Sequence, residues 1–139
     1  MDAEALRAAG WASMEASGFT GYIAPLWRRG TPGVDRAVGF LADERHTNYQ
    51  QTVHGGALMT FADIGLGWVA ADALGHTRCV TAQLAIQLVA SPKVGDFISC
   101  QAELVRRTSQ MVFVRGLIKA GDRTVASADG IWKVLELRP

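Results

Sequence analysis

The sequence predicts an α+β domain in which one long central helix packs against an antiparallel sheet. Three observations carry that expectation. Residues 57–71, ALMTFADIGLGWVAA, hold one ionisable side chain, Asp63, and one other polar side chain, Thr60; a helix that is apolar nearly all round has to be buried on most sides, so a single sheet must wrap it. From residue 79 onward the pattern changes to an alternation of period two, the signature of half-buried strands. The segments that separate these strands, SPKVGD, RRTSQ and AGDR, are shorter than the dozen residues a parallel crossover needs, which predicts antiparallel neighbours in a meander.

Each element follows in chain order. Residues 2–17 are rich in Ala and Glu, with Leu6, Ala9 and Met14 near helical spacing and Gly18 ending the pattern, which predicts a short N-terminal helix. Residues 19–33 contain Gly21, Pro25, Gly30, Pro32 and Gly33 and read as a covering loop anchored by Tyr22 and Trp27. Residues 34–42 form an expected first strand and DERHTNYQQT a polar loop. The long helix opens at His54-Gly55-Gly56 and runs to about residue 73, with Gly75 as its stop. Within it, Gly65 and Gly67 each cost roughly 1 kcal/mol relative to Ala, which predicts the close approach of another backbone. In residues 79–90, Val80, Ala82, Leu84, Ile86 and Leu88 alternate with Thr81, Gln83, Ala85, Gln87 and Val89, and residues 97–105, 111–120 and 124–137 supply three more strands. The chain reads as one domain, 1–33 covering a core of 34–138.

Composition narrows the function classes. With 14 Lys+Arg against 13 Asp+Glu the net charge is +1, so no nucleic-acid footprint is expected. Cys79 and Cys100 share no CxxC and no histidine at ligand spacing, so neither zinc nor a disulfide framework is predicted, and both cysteines read as small buried hydrophobes. The N-terminal MDAEALRAAG lacks the apolar run of a signal peptide. The longest apolar run, residues 55–71, is interrupted by Asp63 and is shorter than the ~20 residues of a membrane span. A cytoplasmic protein with no membrane partner is the expectation.

The chemistry concentrates in residues 48–63, NYQQTVHGGALMTFAD. A carboxylate on a buried helix is expensive unless it is paired, and the positions three and four after Asp63 are Leu66 and Gly67, which offer no cation. Its partner must come from elsewhere, or the side chain must reach an edge and water. The Gly55-Gly56 step exposes backbone N–H groups at the positive end of the helix dipole, where the absence of a Cβ lets an oxygen approach. That is the construction of an oxyanion hole. With the imidazole of His54 and the amide of Asn48 nearby, it supplies the parts for attack on a carbonyl. Other motifs do not fit. Residues 65–70, GLGWVA, match G-x-G-x-x-A but lie inside the helix, and no G-x-S-x-G accompanies the HGG turn.

Three runs, N-x-x-x-T-V-H-G-G-A-x-x-x-x-x-D opening a helix, V-T-A-x-L-x-I on the next strand and K-V-G-D before the third, resemble the hotdog-fold acyl-CoA thioesterases of the phenylacetic-acid-pathway (PaaI-like) type. The likeness covers about residues 34–135. It implies a central helix wrapped by a curved antiparallel sheet, homodimers joined sheet edge to sheet edge, and pairs of dimers as tetramers. It also implies active sites at the dimer interface, where the acid of one subunit faces the HGG turn of the other. Asp63 would then be the nucleophile or the general base. The Gly55 N–H would polarise the thioester carbonyl, His54 and Asn48 would position the turn and the leaving sulfur or water, and Thr81 would orient the attacking water. Gly56, Phe61, Trp68, Arg106 and Arg107 would contact an acyl-CoA substrate. No metal or separate cofactor is implied, coenzyme A being part of the substrate. Two departures stand out. Gln51 replaces a glycine frequent before the T-V-H-G-G run, and Ala90-Ser91 replaces an Arg-Pro, leaving Lys93, Arg106 and Arg107 as candidates for the CoA phosphates. The rival readings are a hotdog dehydratase or hydratase, whose D-x-N-x-x-x-H run is missing, and a non-catalytic acyl-CoA sensor, which would not need Asp63, Gly55 and Thr81 together.

Overall fold

The computed structural model describes residues 1–136 of the chain. Its elements in chain order are α1 (Ala3–Ala8), β1 (Ala12–Met14), β2 (Leu26–Arg29), β3 (Ala37–Leu41), α2 (Gly55–Leu74), β4 (Cys79–Leu88), β5 (Phe97–Cys100), β6 (Glu103–Arg107), β7 (Met111–Ala120) and β8 (Arg123–Val134), with 3-10 turns at Gly18–Tyr22 and Glu44–His46. The eight strands form one antiparallel sheet in the order β1-β2-β3-β5-β7-β8-β4, with β6 beside β7. Helix α2 touches six of them, β3 to β8, so the sheet curves around it as the hotdog fold requires.

The helix begins and ends where its chemistry dictates. His54, extended at φ −61° and ψ 136°, caps the N-terminus, and Gly75, left-handed at φ 77°, ends it with its N–H on the Ala71 carbonyl; glycine takes that conformation without the steric cost of a Cβ. At 20 residues α2 is longer than the expected apolar run and equals a membrane span in length and composition. Here the sheet supplies the apolar surroundings. Phe61, Leu58 and Leu66 pack against Phe40, Ile98, Val112, Val114, Ile118 and Val125, all nearly inaccessible. The two helix glycines admit side chains and not, as expected, another backbone: a Cβ on Gly65 would meet Val38 and Cys100, and one on Gly67 would meet the Trp132 indole.

The sheet is not the expected meander. β4 follows the helix in sequence, yet it lies at the sheet edge beyond β8, while β5 pairs with β3. SPKVGD therefore does not join neighbouring strands. The curvature explains how so short a segment crosses: it passes the helix N-terminus, where the Val53 N–H donates to Pro92 O at 2.8 Å and Thr52 bridges to Lys93.

The N-terminal third also departs from expectation. The predicted helix over 2–17 shrinks to Ala3–Ala8, because Gly10 turns the chain at φ 92° and residues 12–14 pair with β2. The covering loop contains β2, and the first expected strand starts only at Ala37. Tyr22 is exposed and anchors nothing, whereas Trp27 joins Leu6, Trp11 and Ala37 in a second small core on the opposite face of the sheet; alternate residues of β2, β3 and β5 serve the two cores. The expected strand over 97–105 is two, interrupted at Gln101 and Ala102. The expected strand over 79–90 ends at Leu88 and the last one at Val134, its predicted end at Leu137 lying outside the described residues.

Gly39 in β3 shows how tightly the outer core is packed. A Cβ there would sit 2.3 Å from the Phe97 ring, and Phe97 is itself held edge-on against Trp11 at 4.8 Å. Gly39→Ala is expected to overpack this contact by about 1–3 kcal/mol and to lower the melting temperature by roughly 3–10 °C, measured by thermal unfolding followed by circular dichroism.

Candidate active site

The loop before α2 is built to hold the HGG turn. Among the described residues the Asn48 side chain binds only its own loop: Oδ1 accepts from the N–H groups of Gln50 and Thr52 at 2.9 and 3.2 Å, and Nδ2 donates to Thr52 Oγ1 at 2.9 Å. These bonds close a turn in which Gln51 adopts φ 62°, a conformation that costs a non-glycine residue strain. A glycine at this position would adopt it freely. His54 then extends the loop into the helix, its own N–H donating to the His46 carbonyl at 2.7 Å.

The first helical turn leaves one donor free. The Gly56 N–H donates to His54 Nδ1 at 2.8 Å, and the N–H groups of Ala57 and Leu58 share the His54 carbonyl at 2.9 and 3.1 Å. The Gly55 N–H has no acceptor among the described residues. A free N–H at the positive end of a helix is suited to a developing oxyanion. Because Nδ1 accepts, the neutral His54 ring carries its proton on Nε2, and the side chain is exposed, so that N–H is available to a ligand. A Cβ on Gly56 would lie 3.0 Å from the His54 ring, which caps the helix, whereas one on Gly55 would meet only the flexible end of Leu88, Cδ1, at 3.0 Å.

Two turns along the helix, half-buried Asp63 finds its partner on β4. The Thr81 hydroxyl donates to Asp63 Oδ1 at 2.5 Å, and no cation lies within salt-bridge distance of the carboxylate among the described residues. The contact depends on a bulge. Thr81 pairs with Trp132 and Gln83 with Ile131, leaving Ala82 as an extra residue. Strict alternation would turn Thr81 to the face opposite Leu84 and Ile86; one inserted residue puts it on the helix side with them.

The remaining candidates lie apart. Phe61 is fully buried with its ring 4.9 Å from Phe40, so it packs in the core. Trp68 is half-buried beneath the Arg36 guanidinium, 5.6 Å away, which is itself paired with Asp72. Arg107 donates to the Ala73 carbonyl at 2.9 Å, and so lies at the opposite end of α2 from Gly55, about 27 Å along the axis. Arg106 is exposed on β6. Lys93 is nearer, in the segment that bridges to Thr52. A groove of about 1060 Å³ runs between β3, β5, β7 and the C-terminal half of α2 and includes neither the HGG turn nor Asp63. No group of three or more His, Cys, Asp or Glu side chains among the described residues is placed to hold a metal.

Sequence reasoning passed over His46. It is the one buried polar or charged side chain among the described residues, 3% exposed, and it lies beneath the HGG turn. Only its place in a polar loop was visible in the sequence.

Comparison with known proteins agrees with this architecture. The family model described as Thioesterase superfamily matches residues 50–127, a span that includes His54, Gly55, Asp63 and Thr81. PA0474 of Pseudomonas aeruginosa, named as a candidate esterase, is 31% identical over 111 residues, 79% of this chain and 83% of that protein. Among solved structures, BH2602 from Bacillus halodurans, determined with CoA, superimposes with a TM-score of 0.75 at 24% identity, covering 88% of this chain and 82% of that one. The E. coli PaaI protein from the phenylacetic acid degradation operon does so with 0.67 at 16% identity, covering 97% and 86%. These two likenesses concern the hotdog fold alone; the family model and PA0474 reach the sequence itself. The chain belongs to the thioesterase superfamily and is a thioester hydrolase.

Proposed function

We propose that the protein hydrolyses aryl- or medium-chain acyl-CoA thioesters to free acid and CoA, at sites formed between two copies of the chain. The observation that carries this reading is the separation of the two halves of the chemistry. Gly55 and Asp63 are eight residues apart on one straight helix, a rise of about 12 Å, whereas a hydrogen-bond donor and an attacking group on one carbonyl must both lie within about 3–3.5 Å of its atoms. One chain cannot bring them together. β4 supplies the means: it is a ten-residue edge strand, exposed at Val80, Thr81 and Leu88, and such an edge is a template for pairing. Thr81 sits beside Asp63 and Leu88 beside Gly55. When β4 pairs antiparallel with β4 of a second copy, the Thr81 end of each strand meets the Leu88 end of the other, and each Asp63 faces the other chain's Gly55. By the family resemblance, two such dimers stack as a tetramer.

In the paired site the Gly55 N–H holds the thioester oxygen as it gains charge. Asp63 of the second copy either adds to the carbonyl carbon or takes a proton from the water that does. The Thr81 hydroxyl donates its hydrogen bond to Asp63 Oδ1, which leaves Asp63 Oδ2 free to react and the Thr81 lone pairs free to accept from water. The C–S bond breaks, and the thiolate leaves within reach of the His54 Nε2–H; where Asp63 itself has added, water then hydrolyses the resulting anhydride to free acid and the Asp63 carboxylate. Among the basic candidates, Lys93 shares the HGG end of the fold, which favours it for a CoA phosphate.

The direct test is a panel of acetyl-, hexanoyl-, decanoyl-, benzoyl- and phenylacetyl-CoA with free thiol followed in time. Release from at least one aryl or medium-chain member is expected, and release from none would overturn the reading.

A further inference from the structure

Resting on that reading, we propose that His46 is a positioning residue, which holds the Gly55 N–H in place for the reaction only while its imidazole is neutral. His46 ends the 3-10 turn Glu44–His46, and its ring is buried edge-on against Phe40 at 5.0 Å, with Phe40 in turn 4.9 Å from Phe61 of α2. Its two polar ends hold the two ends of the loop. Nδ1 accepts the Asp43 N–H at 3.0 Å, closing a capping box in which Asp43 Oδ1 accepts the Arg45 N–H at 3.0 Å. Its carbonyl accepts the His54 N–H at 2.7 Å. His54 is the residue whose cap uses the Gly56 N–H and leaves the Gly55 N–H free. The imidazole therefore fixes the backbone that carries the donor.

This arrangement admits one protonation state. With Nδ1 accepting, the neutral ring carries its proton on Nε2, which is buried and makes no hydrogen bond among the described residues. A second proton on Nδ1 would set two donors against each other at the Asp43 N–H, and burial would add the cost of an unsolvated charge. The charged groups facing the ring are on its own turn: Asp43, with Oδ1 3.5 Å from Nδ1, favours the imidazolium, and Arg45 opposes it. The face toward β3 is Phe40 and carries no charge. Burial is the largest influence and pushes the ring's pKa below its ordinary 6.5, with Asp43 and the Tyr22 backbone offsetting part of it. A histidine with a lowered folded pKa gives stability that is complete above the unfolded value and is lost as the pH falls through the folded one. Acidification below about 6.5 should therefore progressively loosen the loop.

Three forms of the full chain test this: wild type, His46→Asn, whose Oδ1 can accept the Asp43 N–H but cannot titrate, and His46→Phe, which fills the ring's place without an acceptor. In amide NMR spectra from about pH 7.5 to 5, the wild-type Asp43, His54 and Gly55 signals are expected to move with the His46 ring protons at a midpoint below the ordinary value. That shared step disappears in His46→Asn, any contribution of the His54 ring being common to both. In turnover of the most reactive acyl-CoA, His46→Phe is expected to lose about 10-fold or more in kcat with KM changed less than about 3-fold. His46→Asn should keep kcat within about 3-fold at neutral pH and show no loss on the acid side attributable to residue 46. An acid step in the Asp43 amide, which His46 Nδ1 accepts, that survives in His46→Asn would overturn the proposal, as would a folded His46→Phe with unchanged His54 and Gly55 amide shifts. If the wild type released no CoA, the proposed substrate class would fail, and the NMR titration would still decide the role of His46.

Discussion

Asp63→Asn is expected to give a protein that folds and assembles as the wild type does while its acyl-CoA hydrolysis falls at least about 10²-fold. The substitution is close to isosteric, and the Thr81 hydroxyl, 2.5 Å from Oδ1, can donate to the new amide oxygen as it does to the carboxylate. No cation is left unpaired, because none is paired with Asp63 among the described residues. The loss is therefore confined to chemistry: an amide neither adds to a thioester carbonyl nor takes a proton from water. Thiol release under saturating substrate measures kcat, and KM should change little, since the group acts on the reacting atoms and not on the bulk of the substrate. Near-full hydrolysis by a folded Asp63→Asn protein would remove Asp63 from the mechanism.

How far the sequence could be read depended on the range of the interactions involved. The α2 boundaries were legible because a capping residue, a Gly-Gly step and a terminal glycine are local signals, and β7 was legible because ten alternating residues between two turns leave little choice. Sheet order was not. Nothing local to SPKVGD says that it crosses the end of the helix and not a hairpin, since that depends on a curvature set by all the strands packed on α2. Strands β1 and β2, three and four residues long, are too short to show a period, and Gly10 hides the break before them. At the candidate site, the HGG turn and Asp63 could be singled out by residue type alone, as a donor at a helix start and a carboxylate on an apolar helix. The geometry of Thr81 could not be obtained that way, because alternation directs it to the wrong face and only the pairing of Ala82 with nothing corrects it. His46 was hidden for a related reason. A histidine in a polar loop looks solvated until the fold lays Phe40 over it.

Gly55→Pro is expected to reduce hydrolysis by about 10²–10³-fold, the usual cost of one oxyanion donor, while leaving the helix start intact. Proline is favoured at the first helical position, where its missing N–H has no intrahelical role, and His54 already has the extended conformation, φ −61° and ψ 136°, that a residue before proline prefers. The new Cβ would meet only the end of the Leu88 side chain, at 3.0 Å, which can move. This variant and Asp63→Asn damage different halves of the site, so together they test where the halves come from. If each site takes its HGG turn from one chain and its acid from the other, a mixed dimer has one site carrying both substitutions and one carrying neither. Half the dimers in a random equal mixture are mixed, so about one site in four is intact, and coexpression of the two inactive variants should restore about a quarter of wild-type activity. If both halves came from the same chain, every site would carry one substitution and nothing would be restored. Copurification through two different affinity tags shows that mixed dimers are present, and their inactivity would place the site within a single chain.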